Sequence, residues 1–342
     1  MPHNHFTTTL ISWYHQYSRD LPWRHTHDPY AIWLSEVIMQ QTRIAQGRAY
    51  WERFMSRFPT VDSLASASED DVLRMWQGLG YYSRARNLHE AARQIVSLGR
   101  FPDNLTDIRR LKGVGTYTAA AIASFAFGIR AAAVDGNTYR VLSRVFGIDI
   151  PINSTQGKHF FQQLADTLIA DLPAAEEAGN FNQAMMDFGA TCCMPKAPKC
   201  PECPFMATCE ALHTNRVAEL PVKNRTIKVK ERHFSYVLIS CQGYCALHRR
   251  GPKDIWQGLW EPCLFENEPL PDWQGTLILL NSHVKHVLTH RIIMADFYLL
   301  QTDVRPELPP DYIWVKQEDI NCYAVPRLVE LLFESMEKKA LL

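Results

Sequence analysis

Residues Leu111–Ile122 read LKGVGTYTAAAI, and this short stretch decides the fold. Gly113 and Gly115 flank Val114 in a tight turn between two helical segments. Glycine at such positions permits positive φ and lets backbone N–H groups come close to a ligand. The alanine-rich run that follows starts at once, so its free N–H groups and the positive end of its dipole face the turn. A hairpin of this kind can clamp one DNA phosphate, a contact that fixes register without reading sequence. The same residues also suit a plain helix-turn-helix corner.

Working outward, VDGNTYRVLSR (Val134–Arg144) places Asp135 just before a helix, where a carboxylate serves as N-cap. Further on, CMPKAPKCPECPFMATC puts Cys193, Cys200, Cys203 and Cys209 in the spacing C-x6-C-x2-C-x5-C. Four prolines and the lack of a helical apolar repeat make this an irregular loop, able to gather four thiolates around one centre. Zinc is the rival occupant, but only one close pair exists and the first gap is long, which favours iron–sulfur. Disulfides are disfavoured because MPHNHFTTTL carries no basic region followed by an apolar run, so no secretory signal is read. Cys192 falls outside the spacing. Lys196 and Lys199 lie between the first two ligands, as phosphate contacts or as solvated cations.

The 342 residues leave room for two domains, and 46% hydrophobic composition excludes global disorder. Lys+Arg and Asp+Glu are both 36, so overall charge names no partner. Locally, Arg74, Arg84, Arg86, Arg93, Arg100, Arg109, Arg110 and Lys112 are opposed only by Glu90, Asp103 and Asp107. That surplus reads either as a polyanion-binding face or as a solvated helical face. The most apolar stretch, Ala119 to Gly128, is too short to span a bilayer. A soluble, reducing, cytoplasmic setting is expected, and it keeps the thiols available as ligands.

Residues from about Phe6 to His213 read as predominantly helical. Pro29 opens one helix with an apolar stripe of Tyr30, Trp33, Leu34 and Val37, and a neighbouring polar stripe of Glu36, Gln40 and Arg43. Helices are also predicted from about Asp70 to Trp76 and from Tyr117 to Phe127. Composition changes near Asn215, and the Lys/Arg-rich residues 216–230 read as a linker between a domain over 1–215 and another over 231–342. Strands are predicted at His233–Ser240, Tyr244–His248, Thr276–Leu280 and Ile292–Leu300, with a closing helix near Pro326–Lys338.

A glycine hairpin, an Asp about twenty residues on, then the four-cysteine loop together resemble the endonuclease III superfamily of DNA base-excision glycosylases over about Phe6 to His213. LPWR (Leu21–Arg24), WLSEVIMQQT (Trp33–Thr42), GLGYYSRARNL (Gly78–Leu88) and FNQAMMDFGA (Phe181–Ala190) resemble its adenine-excising branch. The C-terminal part is similar to that branch's Nudix-like recognition module, with Gly258-Leu259-Trp260-Glu261-Pro262 as its motif and Cys263 following. No Nudix box of glycine and spaced glutamates is present, so pyrophosphatase activity is not expected. The implied fold is a predominantly α helix-hairpin-helix domain with an iron–sulfur loop, followed by an α+β Nudix-like domain.

The resemblance implies removal of adenine mispaired with 8-oxoguanine or guanine, by base flipping and hydrolysis of the N-glycosidic bond. Glu36 would be the general acid, a role that needs burial to raise its pKa, and Asp135, supported by Asn137, would stabilise the cationic sugar. Arg24 and Gln183 would contact the flipped adenine, Gln40, Gln41 and Tyr81 the duplex, and Gly113 and Gly115 a phosphate. Tyr117 stands where endonuclease III-type enzymes carry a lysine, and a phenol cannot form the imine of a lyase. Lys112 replaces the proline usual in that hairpin. Leu288-Thr289-His290 matches the family's Phe-Ser-His 8-oxoguanine loop, with Thr289 keeping the hydroxyl and Leu288 replacing the ring. The four cysteines would hold a [4Fe–4S] cluster. The partner implied is mismatched duplex DNA bound by a monomer, with a sliding clamp or mismatch-repair protein on the linker. A damaged-pyrimidine glycosylase/lyase is opposed by Tyr117 and the second domain. A non-catalytic iron–sulfur DNA-binding protein would need neither Glu36 nor Asp135.

Overall fold

Helix starts in this chain are marked by short polar side chains that take up otherwise unpaired backbone N–H groups. Asp28 accepts from Tyr30, Ser68 from Asp71, Asn104 from Asp107, Asp135 from Thr138 and Ser154 from Gly157. The computed structural model describes residues 2–174, 177–224, 229–252 and 254–339. The helices run α1 (His3–Tyr17), α2 (Pro29–Met39), α3 (Ile44–Arg57), α4 (Val61–Ser66), α5 (Glu69–Trp76), α6 (Ser83–Leu98) and α7 (Leu105–Arg110). They continue with α8 (Thr116–Phe127), α9 (Gly136–Phe146), α10 (Thr155–Ala170), α11 (Glu177–Thr191), α12 (Glu210–His213) and, after the strands, α13 (Arg327–Glu337).

The chain forms two compact units, Met1–Ser66 with Glu90–Arg225, and Ala67–His89 with Thr226–Leu342. In the first, α11 packs against α1, α8 and α9 over a core that includes Phe6, Leu10, Val141, Phe161, Phe181 and Phe188. The small residues Ala120, Ala121, Ala131 and Ala133 form a second cluster at α8, where short side chains allow close backbone approach. The expected polar stripe on the Pro29 helix is not there. Every residue from Tyr30 to Ile38 is buried, Glu36 included, and the helix stops at Met39, leaving Gln40 as its C-cap and Arg43 as the N-cap of α3. A helix buried on all sides has no solvent face to be polar.

The first part of the stretch read as a linker packs on this unit. Val217, Leu220 and Val222 cover Cys209 and Ala211, and the Leu220 carbonyl accepts from Arg144 Nε at 3.0 Å. Residues 225–228 lie outside the described residues.

The second unit is built on β1 (Lys230–Cys241), β2 (Tyr244–Arg249), β3 (Trp260–Glu261), β4 (Cys263–Glu266), β5 (Thr276–Val287), β6 (Arg291–Thr302) and β7 (Tyr312–Lys316). The mixed sheet has the order β3-β2-β1-β6-β5, with β4 on β1 and β7 on β2, and β1 runs parallel to β6. Of these, β3, β4 and β7 are absent from the sequence reading, and β5 extends past its expected end at Leu280. Its register shifts near Asn281 break the alternation that a sequence pattern relies on. One face packs on α13 through residues such as Leu328 and Leu332, and the other buries Val237, Ile239 and Cys263. Residues 67–89 belong to this unit through specific contacts: Arg249 Nη2 reaches Glu69 and Asp70 at 2.9 and 3.0 Å, and Gln77 donates to Glu330.

Candidate active site

Glu36 is on the buried α2, Tyr117 opens α8, Asp135 caps α9, and Arg24 ends the Pro22–Arg24 turn. With Gln183 and Met186 of α11 they line one cavity of about 170 Å³. Elements far apart in sequence thus aim a carboxyl, a carboxylate, a guanidinium, an amide and a phenol at a common space. Glu36 is 7% exposed, and burial pushes its carboxyl up to about 7. The Tyr117 hydroxyl, which donates to Glu36 Oε2 at 2.9 Å, pulls the other way, Asp135 raises the value again and Arg24 lowers it. Glu36 can therefore hold a proton near neutrality and give it up, as a general acid must. Burial and the two carboxylates hold the Tyr117 phenol well above its ordinary range, so it remains a donor.

Asp135 is held by donors on both of its carboxyl oxygens. Its Oδ1 accepts from Thr138 N at 2.8 Å and Thr138 Oγ1 at 3.0 Å, and its Oδ2 accepts from Asn137 Nδ2 at 2.7 Å. Asn137 is oriented in turn by Arg140, whose Nη2 donates to Asn137 Oδ1 at 2.8 Å and to the Gly189 carbonyl at 2.6 Å. A Cβ at Gly189 would stand 2.5 Å from Asn137 Cβ, so the close pairing of α11 and α9 needs glycine there. Arg140 Nε also donates to the Cys193 carbonyl at 2.8 Å, which ties the start of the cysteine loop to the same network.

Arg24 is locked by the fully buried Asp187: Nη1 and Nη2 donate to its two carboxylate oxygens at 2.7 and 2.8 Å. Burial alone would raise the Asp187 pKa, but the hydrogen bonds from Arg24 and Arg19 outweigh it and hold the carboxyl below its ordinary value. Asp187, Arg140 and Gly189 were not singled out from sequence. An acidic residue inside the apolar run FNQAMMDFGA was the one available signal, since a charge there must be paired.

At the hairpin, Gly113 takes φ +74, whereas Gly115 is extended and serves as the N-cap of α8, so only the first needs positive φ. Lys112 is exposed and pairs with Glu90 at 3.8 Å. Its neighbours in the basic stretch are less free than their count implied. Arg100 pairs with Asp103 and Arg110 with Asp107, so each of the three acids there has a cation. Arg84 turns onto the Trp76 and Tyr81 rings, and Arg86 donates to the Gln257 carbonyl. Gln40 Nε2 donates to Thr118 at 3.3 Å, while Gln41 is exposed at φ +56.

Cys193, Cys200, Cys203 and Cys209 all line one small cavity, together with Cys192 and Lys199. Among the described residues no three His, Cys, Asp or Glu side chains are grouped closely enough for a single metal ion. A four-iron cluster asks for something different, because each thiolate bonds its own iron and the sulfurs stand further apart. Four cysteines lining one cavity fit that group. Arg144 braces the loop through the Met194 and Pro195 carbonyls at 2.7 and 3.2 Å and through Cys193 Sγ at 3.6 Å.

In the second unit Gly78 and Gly80 both have positive φ and carry Tyr81 at an exposed tip, while Tyr82 is buried. Leu288-Thr289-His290 forms the turn between β5 and β6. Leu288 packs against the core, leaving Thr289 and His290 exposed, and the Thr289 hydroxyl is hydrogen-bonded to that of Tyr81.

Residues 34–164 match the HhH-GPD superfamily of base excision DNA repair proteins, and residues 235–335 match the NUDIX domain. The structure resembles a thermostable thymine-DNA glycosylase, with a TM-score of 0.56 and 31% identity, covering 62% of this chain and 97% of that one. Endonuclease III in a non-covalent DNA complex gives a TM-score of 0.53 at 21% identity over 63% and 98% of the two chains, a likeness of fold alone. Fold and pocket together define a helix-hairpin-helix base-excision glycosylase joined to a Nudix-like domain. The adenine DNA glycosylase of Mus musculus is 44% identical over 97% of this chain and 78% of its own length. That of Buchnera aphidicola subsp. Baizongia pistaciae is 33% identical over 83% of each. The chain belongs to the adenine DNA glycosylase family. Among its described residues no helix is long and apolar enough to cross a membrane.

Proposed function

We propose that this chain excises adenine paired with 8-oxoguanine or guanine, by hydrolysis and without strand cleavage of its own. The observation that carries the reading is the Glu36 carboxyl, buried beside Tyr117 and pushed up to about 7, in the cavity that Asp135 also lines. The flipped base enters that cavity and Glu36 protonates it at N7, which turns adenine into a leaving group. Asp135, fixed by Thr138 and Asn137, stabilises the positive charge that develops on the sugar. Glu36, now ionised, positions the attacking water. Tyr117 has no amine to condense with the sugar, which supports a monofunctional enzyme.

Cys193, Cys200, Cys203 and Cys209 would hold a [4Fe–4S] cluster that orders the loop and its exposed Lys196 and Lys199 for DNA phosphate. Gly113, Gly115 and the α8 N-terminus clamp another phosphate. Gln40, Gln41 and Tyr81 meet the opened stack, and Thr289 with His290 reads 8-oxoguanine.

The test is a duplex carrying adenine opposite 8-oxoguanine, treated with alkali after reaction. Adenine release with little cleavage before alkali is expected, and Glu36→Gln and Asp135→Asn should each nearly abolish release while mismatch binding persists. Intact, iron-loaded protein that frees no adenine would end the reading. Thr289→Ala should narrow the preference for 8-oxoguanine over guanine, and an unchanged ratio would remove the loop from that role.

A further inference from the structure

Gln183 enters the cavity from α11, yet a glutamine can present either its carbonyl or its amine to a base. The choice decides what it reads. Tyr14 of α1, a tyrosine only 7% exposed, lines a neighbouring cavity together with Gln183 and Arg24. Its hydroxyl donates to Gln183 Oε1. Among the described residues this is the one hydrogen bond that the Tyr14 hydroxyl makes.

The surroundings dictate the direction of that bond. The Arg24 guanidinium lies 5.8 Å from the centre of the Tyr14 ring, and both Arg24 and Arg19 are committed to Asp187. Cations offer the hydroxyl no acceptor, and the Asp187 oxygens are already taken by Arg19 and Arg24. A flipped amide would offer only N–H groups and take away the one acceptor that the Tyr14 hydroxyl proton has among the described residues. Burial also raises the Tyr14 pKa, so the proton stays on the oxygen.

We propose that Tyr14 is a positioning residue that fixes the Gln183 amide, turning Nε2 into the cavity as a donor to an unprotonated ring nitrogen of the flipped base. The inference rests on the adenine-excision reading above and deepens it. With Glu36 supplying one proton donor and Gln183 Nε2 another, the cavity asks for two ring nitrogens with free lone pairs. Adenine offers N1 and N3 beside N7; guanine keeps N3 but carries a hydrogen on N1, so a contact to N1 is the one that refuses it. Tyr14 thereby shapes base choice without touching the base.

The experiment measures single-turnover excision of adenine, 1-deazaadenine and 3-deazaadenine opposite 8-oxoguanine, with wild-type protein, Tyr14→Phe and Gln183→Glu. In the wild type one deaza analogue should react slower than adenine by roughly tenfold or more, the size expected for one lost hydrogen bond. Tyr14→Phe keeps the ring, so mismatch affinity and melting temperature should hold. Its adenine rate should fall several-fold and the analogue penalty shrink to roughly twofold, because the amide is free to turn. Gln183→Glu should accept the Tyr14 bond on one oxygen and present the other as an acceptor, losing the penalty altogether. A full penalty in Tyr14→Phe, or its survival in Gln183→Glu, would overturn the proposal, as would equal wild-type rates on all three bases. Should Tyr14→Phe melt early, Gln183→Glu alone decides. Wild-type protein that releases no adenine would instead strike the excision reading itself, and the inference with it.

Discussion

Glu36 shows what a single residue costs and gives. Its ordinary pKa near 4.5 is pushed up to about 7 by burial. The folded state thus keeps a proton that the unfolded chain has already lost over that interval, so stability falls as pH rises from about 4.5 to about 7 and stays lower above it. The whole penalty is on the order of 3 kcal/mol. Glu36→Gln removes the titration, and is expected to melt above the wild type at pH ~8 by a larger margin than at pH ~5, seen by calorimetry. Catalysis has the same sign: the single-turnover rate should fall as pH rises through about 7, as the acid form is lost. Tyr117→Phe takes away the hydrogen bond that favours the carboxylate, so the falling limb of that profile should move to higher pH. A limb unmoved by the substitution would mean that the phenol does not tune Glu36. Only the need for burial was legible at this residue, from the role that the resemblance gave it. The direction and strength of its tuning were not, because Tyr117 is 81 residues away.

At the scale of elements, the site depends on how closely α11 lies against α9. Gly189→Ala would drive a methyl into Asn137, whose Cβ stands 2.5 Å from the added atom, and neither partner is a flexible chain end. A loss of about 1–3 kcal/mol is expected from such overpacking. Excision should suffer more than stability, because Asn137 hands the shift to Asp135 through their 2.7 Å hydrogen bond. Comparing melting temperature with single-turnover rate checks this, and a rate change no larger than the stability change predicts would place Gly189 in packing alone. The helices at Pro29, about Asp70, Tyr117, after Asp135 and near Pro326 were readable from N-caps, prolines and periodicity, while α1, α3, α4, α6, α7 and α10–α12 were given no bounds. The polar stripe assigned to the Pro29 helix was wrong, because periodicity describes a helix with one wet face and α2 has none. The strands β3, β4 and β7 were missed: β3, at two residues, is too short to show alternation, and the four and five residues of β4 and β7 were not picked out.

For the whole molecule, each unit has its own core, and the second contains a charge network that no local pattern announces. Arg250 holds Glu261 through Nη1 at 2.6 Å, with both side chains buried and the Tyr236 hydroxyl on Glu261 at 2.9 Å. Arg250→Met would leave Glu261 buried without its cation, a loss expected at about 3–5 kcal/mol. Hydrogen exchange should show it in β1 before α11. Equal loss in both would mean that the two units unfold as one.

By itself, the sequence determined the helical first part, the glycine hairpin, the four-cysteine loop, the strand-rich second part, and which carboxylates and amides to look at. Those features rest on residues near one another in the chain, where capping, turn chemistry and spacing act. Only the tertiary structure decided which atoms meet. Asp187 locks Arg24 from 163 positions away, and Tyr14 sets the Gln183 amide from 169. Burial, proton affinity and amide orientation depend on what lies across the cavity, and no run of neighbouring residues carries that information.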